Sequence, residues 1–514
     1  MAHFCLAALF ALTVLTYAAH TTGTEYLVKE TINVPGGWVK HSKPSPGHII
    51  SLRIGLPQSN FPILERLLYE VSDPDHVRYG QHLSKVEVEE LVAPHPSSLN
   101  AVNDWLATYG LGDDDISRSP AKDWIKIDIP VSLAEEMLDT EYHVYQHETD
   151  GDYLVRTSSY SLPKHLHEHV DIVQPTTMFG RFKPQKTNVI YLGEDTDEQP
   201  VSQYQTANEA GFVDPTCNTT ITIKCLQQIY NAVGYTPRAK GNSIGVTGYL
   251  EQYANLDDLQ LFYADQRPDA LKSSFKFISI KGGINSQNKS KAGIEANLDV
   301  QFAFGLTHPI PATFYSTAGR PPYHPDTLTP TNTNEPYADW LDFVLAHDDV
   351  PSVISTSYGD DEQTVPKSYA LRVCAGFAQL GARGVSLMFG SGDNGVGDGN
   401  MNPKTDKCFT NDGKHTKEFF SFFPAACPFV TAVGGTQHYP EISVSRFFSG
   451  GGFSNYFDQP NYQKVAAETY LDALPKGLYK GLYNPRGRAT AGWDPVTGLG
   501  TPNFGLLKNL VTAC

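Results

Sequence analysis

The sequence predicts an α/β fold, a doubly wound parallel sheet preceded by a separate α+β unit. Six short apolar runs carry the first part of that expectation: Ser243 to Tyr249, Phe275 to Ile280, Pro311 to Ser316, Ser352 to Gly359, Gly384 to Asp393 and Phe429 to Gly435. Each is too short for a buried helix and lacks polar alternation, as strands covered on both faces do. Helical segments such as Tyr369 to Leu380 fall between several of them, which is the βαβ rhythm of parallel sheets. The second part rests on a change of pattern upstream, where residues 25 to 175 mix alternating strands with amphipathic helices. A chain of 514 residues with 40% apolar content has room for both units.

Taken in order, the first nineteen residues (MAHFCLAALFALTVLTYAA) form an apolar run that ends in small residues, and predict a signal peptide over 1–19. A prodomain-like unit is expected over 20–180. It contains strands at Ile49 to Ile54 and Trp124 to Ser132, and helices at Val86 to Val92 and Leu99 to Tyr109. Residues 181–208 are polar, charged and aperiodic, an exposed linker of the kind that proteases reach. The sheet domain then fills 209–514. Folded unit, cleavable linker and larger domain together suggest a zymogen.

Charge and cysteine content narrow the setting. The balance of 39 basic against 56 acidic residues leaves −17, which argues against nucleic acid or an anionic membrane as partner. Removal of the signal would leave six cysteines, and in an oxidising compartment Cys217–Cys225 or Cys408–Cys427 are close enough in sequence to pair. Asn218 (N-T-T) and Asn288 (N-K-S) are glycosylation acceptors consistent with secretion to the extracellular space.

The chemistry concentrates in G-I-E-A-N-L-D-V-Q, Gly293 to Gln301. Glu295 and Asp299 stand four apart, so a helix projects both from one face, where like charges repel. The neighbours Ala292, Ile294, Ala296, Leu298, Val300, Phe302, Ala303 and Phe304 are apolar nearly all the way round, as in a buried helix. Buried acids need partners or a task, and two sharing one site have their pKa values pushed apart. Asp393 lies in S-G-D-N-G at a strand end, and Asp360 with Asp361 in S-Y-G-D-D-E at another. Strand ends of that kind line crevices in parallel sheets.

With S-Y-G-D-D, S-G-D-x-G, V-T-A-V-G-G-T, G-G-F-S-N-Y-F and A-G-W-D-P-V-T-G-L-G-T-P-N-F, the order of motifs resembles the sedolisin family of secreted serine-carboxyl peptidases, tripeptidyl-peptidase branch. The segment Ser72 to Leu106 resembles that family's activation prodomain. The resemblance implies a subtilisin-like catalytic domain, protein or peptide substrates, an inhibitory prodomain removed at acid pH, and a monomer. It implies Glu295 as general base, Asp299 as the acid orienting it, Asp393 as oxyanion stabiliser and Asp360 as counter-charge to the substrate's amino terminus. A Glu base suits acid pH because it titrates near 4. The resemblance also implies one Ca²⁺ site, of which Asp494 and Gly492 match two ligands.

One departure matters. The family continues after G-L-Y-N-P-x-G-R to a G-T-S-x-S segment that supplies the nucleophile and further calcium ligands. Here Arg488 runs directly into Ala489 and no G-T-S-x-S occurs anywhere. Ser357 and Ser391 are the serines beside matched motifs, and neither holds the nucleophile's place. The expectation is an acid peptidase whose serine segment is lost at 488/489, leaving this chain inactive. The alternative is a non-catalytic secreted protein that binds peptides or inhibits.

Overall fold

The computed structural model describes residues 24–512 except 33, 35–37, 148–152, 179–212, 239, 320–335, 394, 398–407, 411–413, 415, 445–448 and 490–499. The expected signal peptide, the linker 181–208, Asp494 and Gly492 therefore lie outside the described residues.

The amino-terminal unit is built on a four-stranded antiparallel sheet in the order Ile116–Arg118, Trp124–Pro130, Ile49–Gly55, Ile172–Gln174. Alternation decides its core: Ile125, Ile127 and Ile129 point inward against Ile50, Leu52 and Ile54, and Val102 and Leu106 close the layer from helix Pro96–Thr108. The strand read as ending at Ser132 stops at Pro130. Val131 begins a helix to Leu138, and its N–H is taken by His48 O at 2.7 Å, so the ladder cannot continue. Helix Lys85–Val92 starts where its sequence dictates, with a capping box between Ser84 and Glu87.

The larger unit holds a six-stranded parallel sheet. Its elements are β1 (Ile244–Gly248), α1 (Leu256–Gln266), β2 (Lys276–Ile280), α2 (Ile294–Thr307), β3 (Ala312–Thr317), α3 (Tyr337–Ala346), β4 (Val353–Thr356), α4 (Lys367–Ala382), β5 (Ser386–Gly390) and β6 (Thr431–Val433). The order is β2-β3-β1-β4-β5-β6, all neighbours parallel. All six apolar runs of the sequence become its strands.

Register shows how the two faces differ. One carries Tyr315, Ile354, Leu387 and Phe389, buried beneath Trp340, Leu341 and Val344 of α3 and Val373 and Phe377 of α4. The other is covered only in its middle, where Ala296, Val300 and Phe304 of α2 and Leu259 and Tyr263 of α1 pack on Ile244, Val246 and Phe314. From β4 outward that second face presents Val353, Ser355, Ser386, Met388, Thr431 and Val433, none of them buried. No described helix packs there, and Val433 is 51% exposed.

The amino-terminal unit docks on the helical side. Leu64, Leu68 and Val71 of helix Phe61–Ser72 share a core with Ala378 and Ala382 of α4. Arg372 enters the unit, donating to Leu56 O (3.0 Å), Asp123 O (2.8 Å) and Asp123 Oδ2 (2.7 Å). Arg53 answers toward Asp339 and Asp342, and both guanidinium groups lie about 5 Å from the Trp124 ring.

Cys217–Cys225 forms as the spacing suggests. Cys427 pairs with Cys374, not with Cys408, because α4 brings Cys374 to 5.7 Å between Cα atoms across 53 residues. At the expected junction, Gly487–Ala489 pairs antiparallel with Phe453–Asp458. Arg488 is buried there, donating to Ala425 O and to Val430 O at 3.1 Å. The last helix, Phe504–Thr512, is capped by Asn503, whose Oδ1 accepts from Leu506 N at 3.1 Å.

Candidate active site

The crevice lies at the carboxyl ends of β4 and β5, beside the first turns of α2. Gly293 makes that placement possible. A Cβ there would stand 2.3 Å from Gln252 Oε1 and 2.7 Å from Tyr253 N, so only glycine lets the helix start this close to the β1–α1 loop. Asn297 fixes its rotation, accepting from Asn255 N and donating to Asp258 Oδ2, both at 2.8 Å. Glu295 and Asp299 consequently face the strand ends. The helix is not buried all round as the sequence suggests: Ile294 is 52% and Leu298 49% exposed. Its apolar surface is wider than the sheet it covers.

Ser357, the residue immediately after Thr356 at the end of β4, meets this pair directly. Its hydroxyl donates to Asp299 Oδ1 at 2.7 Å and also lies against Glu295, where it favours the charged form. Asp299 Oδ2 is buried and has no hydrogen-bond partner among the described residues. Burial first, then the Glu295 charge, pushes the Asp299 carboxyl well above its usual range, with Ser357 opposing. Glu295 is pushed up to about 7 by burial and then by Asp393, again against Ser357.

Asp393 reaches Glu295 from the turn after β5. Gly392 adopts φ +91° with Phe422 packed against it, and Gly450 presses on Ser391 O, where a Cβ would stand at 2.0 Å. That turn needs glycine. Burial raises the Asp393 carboxyl too, although the residue is exposed at the crevice mouth and solvent moderates the effect. Three acids, each favouring its proton, can share the crevice without full mutual repulsion.

The remaining candidates separate. Asp360 pairs with Phe423 in a two-strand ladder, is buried, and accepts from Asp361 N at 3.3 Å. Ser391 is buried with its Oγ accepting from Gly450 N at 3.0 Å, a structural use. Asn218 and Asn288 are exposed, but Asn218 spends both amide atoms on Tyr439 while Asn288 caps the turn at Ser290. Among the described residues no group of three or more His, Cys, Asp or Glu could hold a metal. The contact the sequence did not disclose is Ser357 on Asp299, since nothing in the spacing of a strand end marks which helix it will meet.

Residues 36–179 match the Pro-kumamolisin activation domain. A tripeptidyl-peptidase SED4 of Arthroderma otae is 38% identical over 493 residues, covering 94% of this chain and 78% of that protein. The chain belongs to the sedolisin family of serine-carboxyl peptidases. Tripeptidyl-peptidase SED2 of the same organism is 38% identical over 471 residues, covering 90% of this chain and 76% of its own length. A probable tripeptidyl-peptidase SED3 of Arthroderma benhamiae is 38% identical over 475 residues, covering 90% and 75%. By family this is a serine-type peptidase with an activation domain and a subtilisin-like α/β fold. No helix among the described residues is long and apolar enough to cross a membrane.

Proposed function

We propose that this sedolisin chain derives from a secreted, acid-acting tripeptidyl-peptidase made as a zymogen, and that as written it is inactive because the G-T-S-x-S nucleophile segment is missing. The observation that carries the reading is the meeting of Glu295, Asp299 and Asp393 in one crevice, in a chain whose sequence lacks G-T-S-x-S. Glu295 is the proposed base, Asp299 its orienting acid and Asp393, protonated in acid, the donor to a developing oxyanion. Asp360 is proposed as counter-charge to the substrate amino terminus. A triad without its nucleophile retains only binding and oxyanion effects, so turnover falls by orders of magnitude.

The half of the sheet beside α2 that no described helix covers supports this reading, since a domain of this size normally covers both faces of a parallel sheet. The amino-terminal unit is proposed to inhibit the larger one until the linker is cut, and the mature protein to be an extracellular monomer glycosylated at Asn218 and Asn288. Ca²⁺ is proposed to bind through Asp494 and Gly492 only when the absent segment supplies the other ligands. Titration calorimetry on both chains tests that.

The deciding experiment is release of tripeptides from a protein amino terminus at about pH 4, where a Glu base is part ionised. The chain as written should release none, and the same chain with a sedolisin G-T-S-x-S segment inserted between Arg488 and Ala489 should release them. Tripeptide release by the chain as written would refute the reading.

A further inference from the structure

Several serines donate to carboxylates, and Ser357 does so at a solvent-exposed strand end inside the acid crevice. A nucleophile and base in contact within 2.6 to 3.2 Å is the geometry that activates a hydroxyl, and the Ser357–Asp299 distance of 2.7 Å lies inside it. The base is also poorly satisfied. Asp299 Oδ2 is buried with no partner among the described residues, so the ionised carboxylate is short of hydrogen bonds and holds a proton avidly.

We propose that Ser357 is itself an acyl acceptor, reacting with activated esters through Asp299 as its base. Ser357 Oγ bonds to the acyl carbon while its proton passes to Asp299 Oδ1, and collapse of the adduct breaks the ester C–O bond and releases the alcohol-side oxygen as a phenolate. Asp299 then loses its proton to solvent, where the phenolate takes one up. Water adds to the acyl-serine as Asp299 accepts its proton, and the carboxylic acid leaves as that proton returns to Ser357 Oγ. An activated ester needs no protonation of its leaving group, whereas a peptide amine does. Ester chemistry at Ser357 is therefore compatible with absent peptide turnover.

The inference uses the acid crevice of the peptidase reading but not its missing segment, so the two fail separately. The test is to treat the full chain with a fluorophosphonate probe and map the adduct by mass spectrometry of the digest. The balance is the same, with Ser357 Oγ displacing fluoride at phosphorus and its proton going to Asp299. The expected adduct is on Ser357, forming faster as pH rises and Glu295, Asp299 and Asp393, the acids facing the hydroxyl, lose protons. Asp299→Asn should slow it roughly 100-fold, and Ser357→Ala should abolish both labelling and hydrolysis of p-nitrophenyl acetate. Should Ser357→Ala fail to fold, the mapped position on the unaltered chain still decides. No adduct, an adduct on another residue, or a Ser357 adduct forming equally fast in Asp299→Asn would overturn the proposal, whatever happens to tripeptide release in the chain carrying the inserted segment.

Discussion

Glu295 sits in the first turn of α2, where the helix dipole favours a carboxylate, and still holds its proton up to about 7. Burial and Asp393 outweigh the dipole. Because the folded value exceeds the ordinary 4.5, the folded chain binds this proton more tightly than the unfolded one, and stability falls as pH rises from 4.5 to 7. The full penalty above pH 7 is at most about 3 kcal/mol. Glu295→Gln should therefore leave stability near that of the unaltered chain at about pH 4.5 and raise it by about 1–3 kcal/mol at about pH 7.5, measured by urea unfolding. A gain confined to the acid side would have the sign reversed. The pairing of Glu295 with Asp299 was legible in their spacing, because four residues bring side chains to one helix face whatever the fold does. Their contact with Ser357, 58 residues away, depends on how β4 is placed under α2, and no local pattern encodes that.

At the scale of elements, placement hangs on a few positions. Gly293→Ala would drive a methyl into Gln252 and the Tyr253 backbone, shifting the start of α2. The expected cost is about 1–3 kcal/mol, with Glu295 losing part of its raised affinity for protons. Arg372→Ala would leave the carboxylate of Asp123 buried without its cation at the docking face. That should cost about 3–5 kcal/mol and speed proteolysis of the amino-terminal unit, followed as digestion rate. Strand β1 could be read from sequence because burial on both of its faces removes polar alternation, and the outer strands because their runs stay apolar although one face is open. The extent of α2 burial could not, since Ile294 and Leu298 are as apolar as Val300 yet face outward, and composition does not report what stands opposite. Likewise Cys374 was invisible as the partner of Cys427, because tertiary packing of α4, not sequence proximity, sets their separation.

For the molecule as a whole, the sheet is sandwiched by described helices over one half and covered by them on one side only over the other. Exposed Thr431 and Val433 with half-buried Met388 form a border on that open face that predicts binding of the dye ANS under folding conditions. Val433→Lys should change stability by less than about 0.5 kcal/mol in this chain and raise its soluble yield. In the chain with the inserted segment the same change should cost about 2 kcal/mol or more, as for a charge forced under a packed helix. The account as a whole stands on the three acids sharing one crevice, and the most direct measurement is the titration of the Glu295 side-chain carboxyl by carbon NMR in the full chain, with and without Asp393→Asn. The predicted result is an apparent pKa near 7 that moves down when Asp393 loses its charge. A value near 4.5, unmoved by that substitution, would contradict the account.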